Sequence, residues 1–338
     1  MTASTALRDG LRRAAAAPAI LAGSFVLTLA MSLPLAFALR DMLEAHFGRS
    51  LMADAALHGA NYEWWQEFAA QATGIGTTFV PSIVGFGAVL LNLSDFLDNV
   101  PLLTTIAGVT GAWLVVWSFL SGGIIDRLAR DRPTRARGFF GACGAHLPAI
   151  ARLGLFALVA YGLLFGWVHP LLFDVTYPRI THNVAVERTA FAIRIALYIV
   201  FLLALIAMNV VIDYARIRIV VEDRRSAIGA LLAGGRFVRR NLGAGSALYL
   251  MNVVLFLVVA AVYALAAPRA STPAWLTLAI GESYIVLRLF LKLVFYASET
   301  SLFQARLAHA SYTAGPPVEW PESPAAETIT NATPAPAP

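Results

Sequence analysis

The amino-acid sequence predicts an all-α integral membrane protein, a helical bundle with about six transmembrane helices. Two observations support this prediction: a shortage of charged residues and the presence of six long apolar segments. Of the 338 residues, 59% are hydrophobic and only 13% are charged, whereas a soluble globular domain carries about 25% charged residues. So little polar surface cannot keep a chain of this size in water, and the composition therefore indicates a bilayer as its solvent.

Six apolar segments are long enough to cross the hydrocarbon core of a bilayer, which is about 30 Å thick. They cover residues 18–39, 101–124, 148–167, 190–212, 246–267 and 273–297. Four of them begin at or beside a proline, a residue suited to the first turn of a helix. The first segment follows three arginines and contains Ala36-Phe37-Ala38, so it also resembles a signal peptide with its cleavage site. Its length of about 22 residues exceeds that of a signal-peptide core and favours a retained helix.

Basic residues are distributed unevenly among the connections between these segments. Sixteen lie in the N-terminal segment, the second and fourth connections and the C-terminal tail, and five lie in the other three connections. Because Lys and Arg accumulate on the cytoplasmic side of a membrane, this alternation predicts that both termini are cytoplasmic. We therefore expect a cytoplasmic N-terminal segment at 1–17, a transmembrane helical domain at 18–310 and a cytoplasmic tail at 311–338. The Pro- and Ala-rich composition of the tail predicts disorder.

The first outer loop, residues 40–100, is long enough to contain structure of its own. Residues 61–68 include Tyr62, Trp64 and Trp65, and such aromatic residues favour the headgroup layer of a membrane. This pattern predicts an interfacial helix, with an aromatic ligand-binding platform as the alternative. The apolar run 83–91 is too short to span a bilayer, so we expect a re-entrant or interfacial segment there.

The sequence contains no motif that is typical of a catalytic centre. It has no Walker loop, no Gly-x-Ser-x-Gly and no His-Glu-x-x-His, and its single cysteine, Cys143, excludes an intrachain disulfide. We therefore expect no enzymatic activity and no cofactor. His169, Asp174, His182 and Glu187 share one outer loop, but their spacing matches no standard metal site. The basic residues lie in short loops, as a topology signal requires, and we expect no binding of nucleic acid.

Five charged residues inside the predicted spans form the candidate functional site, an intramembrane polar network. A charge at the centre of a membrane helix costs at least about 2.5 kcal/mol, so such residues face other helices or a wet cavity. Arg194 and Asp213 lie on one stripe of the fourth helix, and Glu282, Arg288 and Lys292 lie along one stripe of the sixth. Their depths in the membrane predict two ion pairs, Arg194–Glu282 and Asp213–Lys292.

Three interpretations of this network are open. The paired charges could lock the packing of the helices, or they could line a path for a solute or a proton. In the third interpretation, Arg288 and Lys292 bind the headgroup of an anionic lipid. Of these three roles, locking the packing of helices is the commonest for charges inside membrane helices.

The fourth connection contains the basic segment 224–240, which is typical of a short helix on the cytoplasmic surface. Ile228, Leu231 and Leu232 share one helical face, and Gly234-Gly235 interrupt the pattern before three further arginines. We expect contact with anionic membrane lipids here. The alternative is a docking site for a membrane or cytoplasmic protein partner, as in the coupling helices of transporter permeases.

Four short motifs carry a resemblance to a known group of proteins. They are Gly122-Gly123-Ile124-Ile125-Asp126-Arg127, Asp213-Tyr214-Ala215-Arg216, Glu222-Asp223-Arg224-Arg225-Ser226 and Arg236-Phe237-Val238-Arg239-Arg240. Through them, residues 101–304 resemble uncharacterised bacterial multi-pass membrane proteins, which are loosely similar to the membrane domain of glycerophosphodiester phosphodiesterases. The resemblance implies a bacterial cytoplasmic (inner) membrane and supplies no catalytic residues. The soluble phosphodiesterase domain is absent, so that activity is not implied.

The sequence therefore favours a non-catalytic membrane scaffold or partner-binding subunit. The alternative is a transporter or permease component that moves a small solute or lipid through a cavity near Arg288 and Lys292. A membrane-embedded enzyme, with an acid–base site at the outer loops, is the weakest of the three hypotheses.

Overall fold

The computed structural model describes residues 1–57, 61–80, 86–268 and 272–307, and it confirms the predicted all-α fold. Within these ranges the chain forms twelve α-helices and no β-strand. The helices are α1 (Ala3–Ala15), α2 (Pro18–Phe47), α3 (Ala53–Leu57), α4 (Tyr62–Gln71), α5 (Phe86–Leu97), α6 (Thr104–Arg130), α7 (Ala136–Leu163), α8 (Tyr177–Thr181), α9 (Glu187–Val221), α10 (Ala227–Arg240), α11 (Leu242–Ala266) and α12 (Ala274–Arg306).

Among the residues described, five helices are long and apolar enough to cross a membrane. These are α2, α6, α9, α11 and the continuous helical stretch Ala136–Thr181, which includes α7 and α8. The sixth predicted span lies in α12, a helix of 33 residues that also carries Glu282, Arg288 and Lys292. α12 is not one of the five. With five such helices, the chain is a membrane protein of the helical-bundle class.

The second predicted connection is largely helical, so the predicted start of the third span is wrong. α6 continues to Arg130 and α7 begins at Ala136, which leaves only a short turn between them. Pro148, which was predicted to begin the span, lies inside α7, because membrane helices accommodate an internal proline through neighbouring helices and local adjustments. α6 and α7 pack so closely that a Cβ atom at Gly123 would lie 2.5 Å from the Sγ atom of Cys143.

The fourth predicted connection is also mainly helical. α9 extends to Val221, and α10 forms the surface helix predicted within 224–240. The side chain of Ser226 caps the first turn of α10 by accepting a hydrogen bond from the Gly229 N–H at 3.2 Å. The prediction that Gly234 interrupts this helix is wrong. Gly234 lies within α10, at the place where this helix packs directly on α9. A Cβ atom there would lie 3.0 Å from the backbone nitrogen of Ala215, so the lack of a side chain allows the close approach.

α7 does not end where the predicted third connection begins, at residue 168. It continues through two π-helical segments, Leu164–Val168 and Leu171–Thr176, into α8. The whole stretch has 46 residues, which corresponds to about 70 Å at 1.5 Å per residue. This length exceeds the hydrocarbon thickness of about 30 Å, so the rod extends well beyond the apolar layer.

Burial is concentrated at one end of the bundle, where α1, α10 and the last turns of α6, α9 and α12 meet. We call it the arginine-rich end, because the connections with the most arginines lie there. Ile124, Ile217 and Phe303 are completely buried at this end. Leu203 and Val258, farther along the helices, are exposed. Such side chains suit contact with acyl chains, since lipid exposure carries no hydrophobic penalty.

The N-terminal segment 1–17 forms α1, a helix that packs against α12 and α11. Its buried face consists of small residues four positions apart: Ala6, Gly10 and Ala14. The backbones approach so closely that a Cβ atom at Gly10 would lie 2.6 Å from the Cβ atom of Ser298. Beside this crossing, the Ser301 hydroxyl donates to Asp9 at 2.7 Å. The predicted cytoplasmic segment is therefore an integral part of the packed end.

The first outer loop contains α3, α4, a 3₁₀ helix at Gly74–Thr78 and α5. α4 corresponds to the helix predicted at 61–68. In α4, Trp64 and Phe68 are buried. Trp64 stacks on Phe47 with ring centroids 4.5 Å apart, so this tryptophan anchors α4 to α2 and is not available as a ligand platform. Residues 83–85 of the predicted re-entrant or interfacial segment and the predicted disordered tail, 311–338, lie outside the described residues.

The crossing of α1 and α12 generates a stability prediction. We expect Gly10→Ala to cost about 1–3 kcal/mol of unfolding free energy, because the added methyl group overpacks the contact with Ser298. Gly138→Ala is the matched control, since a Cβ atom at this helical position meets nothing within 4 Å and alanine favours the helix by up to about 1 kcal/mol. Thermal unfolding in a mild detergent measures both. An unchanged melting temperature for Gly10→Ala would contradict the docking of α1.

Candidate functional site

The five charged residues predicted to form one network lie in separate clusters. Arg194 belongs to a cluster near the start of α9, at the end opposite the arginine-rich end. Asp213 and Lys292 lie in a buried cluster between α6, α9 and α12. Arg288 is exposed on the surface of α12, and Glu282 joins none of these clusters through an ion pair among the described residues.

Arg194 pairs with Asp98, on the turn after α5, and the predicted pair Arg194–Glu282 is wrong. The Nη2 atom of Arg194 lies 3.0 Å from Oδ1 of Asp98, and its Nε atom donates to the Tyr198 hydroxyl at 3.1 Å. Tyr198 in turn donates to Asp98. Asp98 is the better partner because this pair is partly solvated, with side chains 47% and 36% exposed, and avoids the desolvation cost of a buried pair. The Oε2 atom of Glu282 is buried and has no hydrogen-bond partner among the described residues.

The charge of Asp98 is set by this cluster. The hydrogen bond from Tyr198 has the largest effect on the pKa of Asp98 and lowers it below the ordinary value of 3.8, against the opposing effect of burial. The hydrogen bonds from Ser94 and Arg194 lower it further. Asp98 is therefore ionised at neutral pH and holds the end of α5 against the start of α9.

A chain of hydrogen bonds joins the three helices of the buried cluster. Asp213 forms a salt bridge with Arg216, three residues later on α9, at 3.1 Å. The same Nη1 atom of Arg216 donates to the Tyr296 hydroxyl on α12 at 2.8 Å. The indole nitrogen of Trp117, on α6, also donates to this hydroxyl, at 3.0 Å. This chain fixes α6, α9 and α12 relative to one another at the level where the packed core begins.

Lys292 contacts two aromatic rings instead of forming the predicted ion pair with Asp213. Its Nζ atom lies 3.8 Å from the ring centroid of Trp117 and 4.3 Å from that of Trp113. This is the geometry of a cation–π interaction, which is strongest with tryptophan. Asp213 prefers Arg216, whose guanidinium already lies beside it on the same helix. The predicted pair Asp213–Lys292 is therefore wrong, although the sequence correctly placed the two residues in one region.

Arg288 is separated from this cluster. Its guanidinium lies 5.6 Å from the ring centroid of Tyr284, one turn earlier on α12, and Tyr284 stacks on Tyr263 of α11 at 4.1 Å. Arg288 and Lys292 are one turn apart, but Arg288 contacts Tyr284 of its own helix, whereas Lys292 contacts two tryptophans of α6.

Sequence reasoning missed several polar residues of the packed end. Ser298, Thr300 and Ser301 are buried in the last turns of α12, beyond the end of the predicted sixth span. Asn252 of α11 donates to the Ser298 hydroxyl at 3.1 Å. The signal that could have found them is the apolar sequence on both sides of this run, since Ala297, Leu302 and Phe303 are also buried.

A cavity of about 590 Å³ opens at the arginine-rich end, between α9, α10 and the end of α12. We call it the arginine pocket. Five arginines line it: Arg218, Arg224, Arg236, Arg240 and Arg306. Glu222 is the carboxylate beside it and bonds to both Arg218 and Arg224, at 2.7 and 2.5 Å. Within the described ranges, Arg236 and Arg240 form no ion pair, so the pocket retains an excess of positive charge.

The described residues offer little for covalent or metal chemistry. No group of three or more His, Cys, Asp or Glu side chains gathers there as a metal site would require. His169 is buried, and its ring nitrogen hydrogen-bonds the Leu97 carbonyl at 2.8 Å. Cys143 is a buried free thiol between α6 and α7. The arrangement is suited to binding anions and to holding helices together.

The Asp98 cluster generates a prediction of pH dependence. Because the pKa of Asp98 is lower in the folded than in the unfolded state, its stabilising effect is complete above the ordinary value of 3.8 and is lost as the pH falls through the lower folded value. We expect wild-type protein to be more stable than Asp98→Asn at neutral pH, with the difference vanishing in acid. Tyr198→Phe removes the main hydrogen-bond donor to Asp98, so it should weaken the dependence of stability on pH in this acidic range. Thermal unfolding across a pH series measures it, and a difference that is constant with pH would contradict the assignment.

Comparisons with protein-family models, curated proteins and solved structures give no match to this chain. The resemblance to bacterial multi-pass membrane proteins therefore stays a prediction.

Proposed function

We propose that this chain is a non-catalytic scaffold of a bacterial cytoplasmic membrane, whose arginine pocket binds an acidic segment of a cytoplasmic protein. The observation that supports this proposal best is the convergence of five guanidinium groups on one pocket beside a single carboxylate. Arginine is the residue best suited to recognise carboxylates, through its planar set of donors. An acidic partner would neutralise the excess charge and displace water from the pocket.

The pocket has the rigidity that recognition requires. Its wall on α10 is fixed to α9 by the close approach of Gly234 to Ala215. The ring of Phe237 lies between Tyr214 and Phe303, with centroids 4.8 and 5.1 Å away. The guanidinium groups of Arg236 and Arg240, on the same helix, are therefore displayed from a fixed backbone. Preorganisation of this kind lowers the entropic cost of binding.

The buried cluster also favours a scaffold. Lys292 is covered by two indole rings, and Asp213 is bonded to Arg216. These contacts brace α6, α9 and α12 without leaving a charge that needs a solute. A scaffold needs this rigidity, whereas a carrier needs helices that can separate.

The alternation of basic residues in the sequence supports the orientation. In this topology the arginine pocket, α1 and the turn between α6 and α7 all face the cytoplasm. The pocket would then be accessible to cytoplasmic proteins and close to the anionic headgroups of the membrane. Those headgroups would compete with the protein partner for the arginine pocket.

A transporter or permease component is the second candidate function. It is favoured by one observation: the side chains of Asp213 and Arg216, just beyond the inner end of the predicted fourth span, each keep 22% exposure within the buried cluster. Space beside them could admit water and, in another conformation, a small solute.

Cysteine labelling separates these two functions. In a Cys143→Ser background, we expect Lys292→Cys to react slowly with a small membrane-impermeant maleimide, because the position is covered by Trp113 and Trp117. Arg236→Cys is the control and should react rapidly, because its position is exposed on α10. Labelling of intact and inverted vesicles also tests the orientation. Rapid labelling at position 292 from the pocket side would favour the transporter.

Photo-crosslinking tests partner binding directly. A photoreactive amino acid at exposed Leu232, beside the pocket on α10, should give a protein adduct in cells whose crosslinked peptide is acidic. We expect the adduct to disappear in Arg236→Glu/Arg240→Glu and to persist in Arg132→Glu/Arg137→Glu, a matched reversal of two exposed arginines near the turn between α6 and α7. Adducts to lipid alone, or equal loss in both variants, would contradict the proposed function.

A further inference from the structure

A second cavity at the arginine-rich end is a groove between α2, α6 and the start of α7, with a volume of about 450 Å³. Its walls are mainly apolar, and its lining includes Ile20, Leu120 and Ile124. Leu27 and Phe140 also line it, and both are exposed. The groove therefore reaches the lipid-facing surface of the bundle. It is separate from the arginine pocket, which lies between α9, α10 and α12.

Arg127 is the one charged residue among the described residues that line this groove. It is only 6% exposed. Its Nη2 atom donates to the Ala16 carbonyl at 3.1 Å, while its Nη1 atom has no hydrogen-bond partner among the described groups. The nearby carboxylate of Asp131 is bonded to Arg12 at 2.6 Å. The groove thus combines apolar walls with a buried cation that lacks a full set of partners, which is costly unless an anion supplies them.

We propose that this groove binds one anionic phospholipid, with an acyl chain along the apolar walls and the phosphate at Arg127. A free inorganic anion would satisfy the guanidinium but leave the apolar walls unused. A zwitterionic lipid would fill the walls but bring a second positive charge to Arg127. An amphiphile with a negatively charged headgroup satisfies both parts of the site, and an anionic phospholipid is the form in which a membrane supplies it.

The site has a structural consequence, because Arg127 also holds the turn between α1 and α2. Its bond to the Ala16 carbonyl fixes the residue that follows α1, and Ala17 and Pro18 line the same groove. A phosphate bound at Arg127 would therefore stabilise the junction through which α1 docks on the bundle. Occupancy by lipid should raise the stability of the whole arginine-rich end.

Lipid titration of the full-length protein tests the charge requirement. In a neutral detergent, native mass spectrometry should detect one phosphatidylglycerol molecule bound more tightly than phosphatidylcholine. We expect Arg127→Gln to weaken phosphatidylglycerol binding about five- to tenfold and to leave phosphatidylcholine unchanged. Arg130→Gln is the matched control, because Arg130 lies three residues later on α6, is paired with Asp126 at 2.9 Å and does not line the groove. Equal binding by wild type and Arg127→Gln would overturn the proposal.

A second variant tests the groove without touching its charge. A Cβ atom at Gly23 meets nothing within 4 Å, so Gly23→Leu should fill the groove without distorting α2. We expect it to remove the tight phosphatidylglycerol site, while Gly108→Leu, at an open position of α6 outside the groove, retains it. Oleate serves as a third ligand. A Gly23-dependent site that binds oleate but not phosphatidylglycerol, or a site unaffected by Gly23→Leu, would overturn the assignment to a phospholipid.

Discussion

The burial of polar residues in the last turns of α12 is the constraint on which the rest of the structure depends. Ser298, Glu299, Thr300 and Ser301 are withdrawn from both water and lipid, and buried polar groups are costly unless they are hydrogen-bonded. Neighbouring helices supply partners for two of these four side chains, Ser298 and Ser301. Asn252 of α11 bonds to Ser298 and Asp9 of α1 accepts from Ser301. The helices around α12 are therefore held in place by the need to satisfy its polar groups.

This constraint explains why the two ends of the bundle differ. At the arginine-rich end, hydrogen bonds and close contacts join α1, α6, α9, α10, α11 and α12, and the two cavities open between elements that cannot move freely. Towards the opposite end, exposed apolar residues such as Leu203 and Val258 leave the helices to be covered by lipid. The polar contact of Arg194 with Asp98 fastens that end through a partly solvated pair. Both cavities proposed to bind a partner or a lipid therefore lie at the rigid, arginine-rich end.

Apolar composition and span length were enough to predict the fold class, because the bilayer imposes a simple rule on both. Helix boundaries were harder to predict. Pro148 and Gly234 carry the local signals of a helix end, yet each lies inside a helix, because the close approach of a neighbouring helix or the lack of competing water outweighs local propensity. No pattern within a single helix could reveal those tertiary contacts.

The polar network was predicted in part for a similar reason. Helical periodicity correctly indicated that Lys292 and Asp213 face other helices, since an ionised group does not face lipid. It could not choose partners, because that choice depends on which side chains the neighbouring helices present at the same depth. Arg216 reaches Asp213 and the indoles of Trp113 and Trp117 reach Lys292. Asp98, the partner of Arg194, lies in the first outer loop. The predicted pairs were chosen only among residues inside the spans and so could not include it.

The docking of α1 on α12 has a consequence for the order in which the protein is assembled. Arg13 on α1 donates to Gln304 on α12 at 2.9 Å, across 291 positions of the chain. Because a ribosome makes α1 well before α11 and α12, α1 lacks most of its packing surface until these two helices have been synthesised. During that interval the amphipathic α1 would rest on the membrane surface. Its docking then marks the completion of the bundle, so a truncated chain lacking α12 would carry an unburied N-terminal helix that quality-control proteases can recognise.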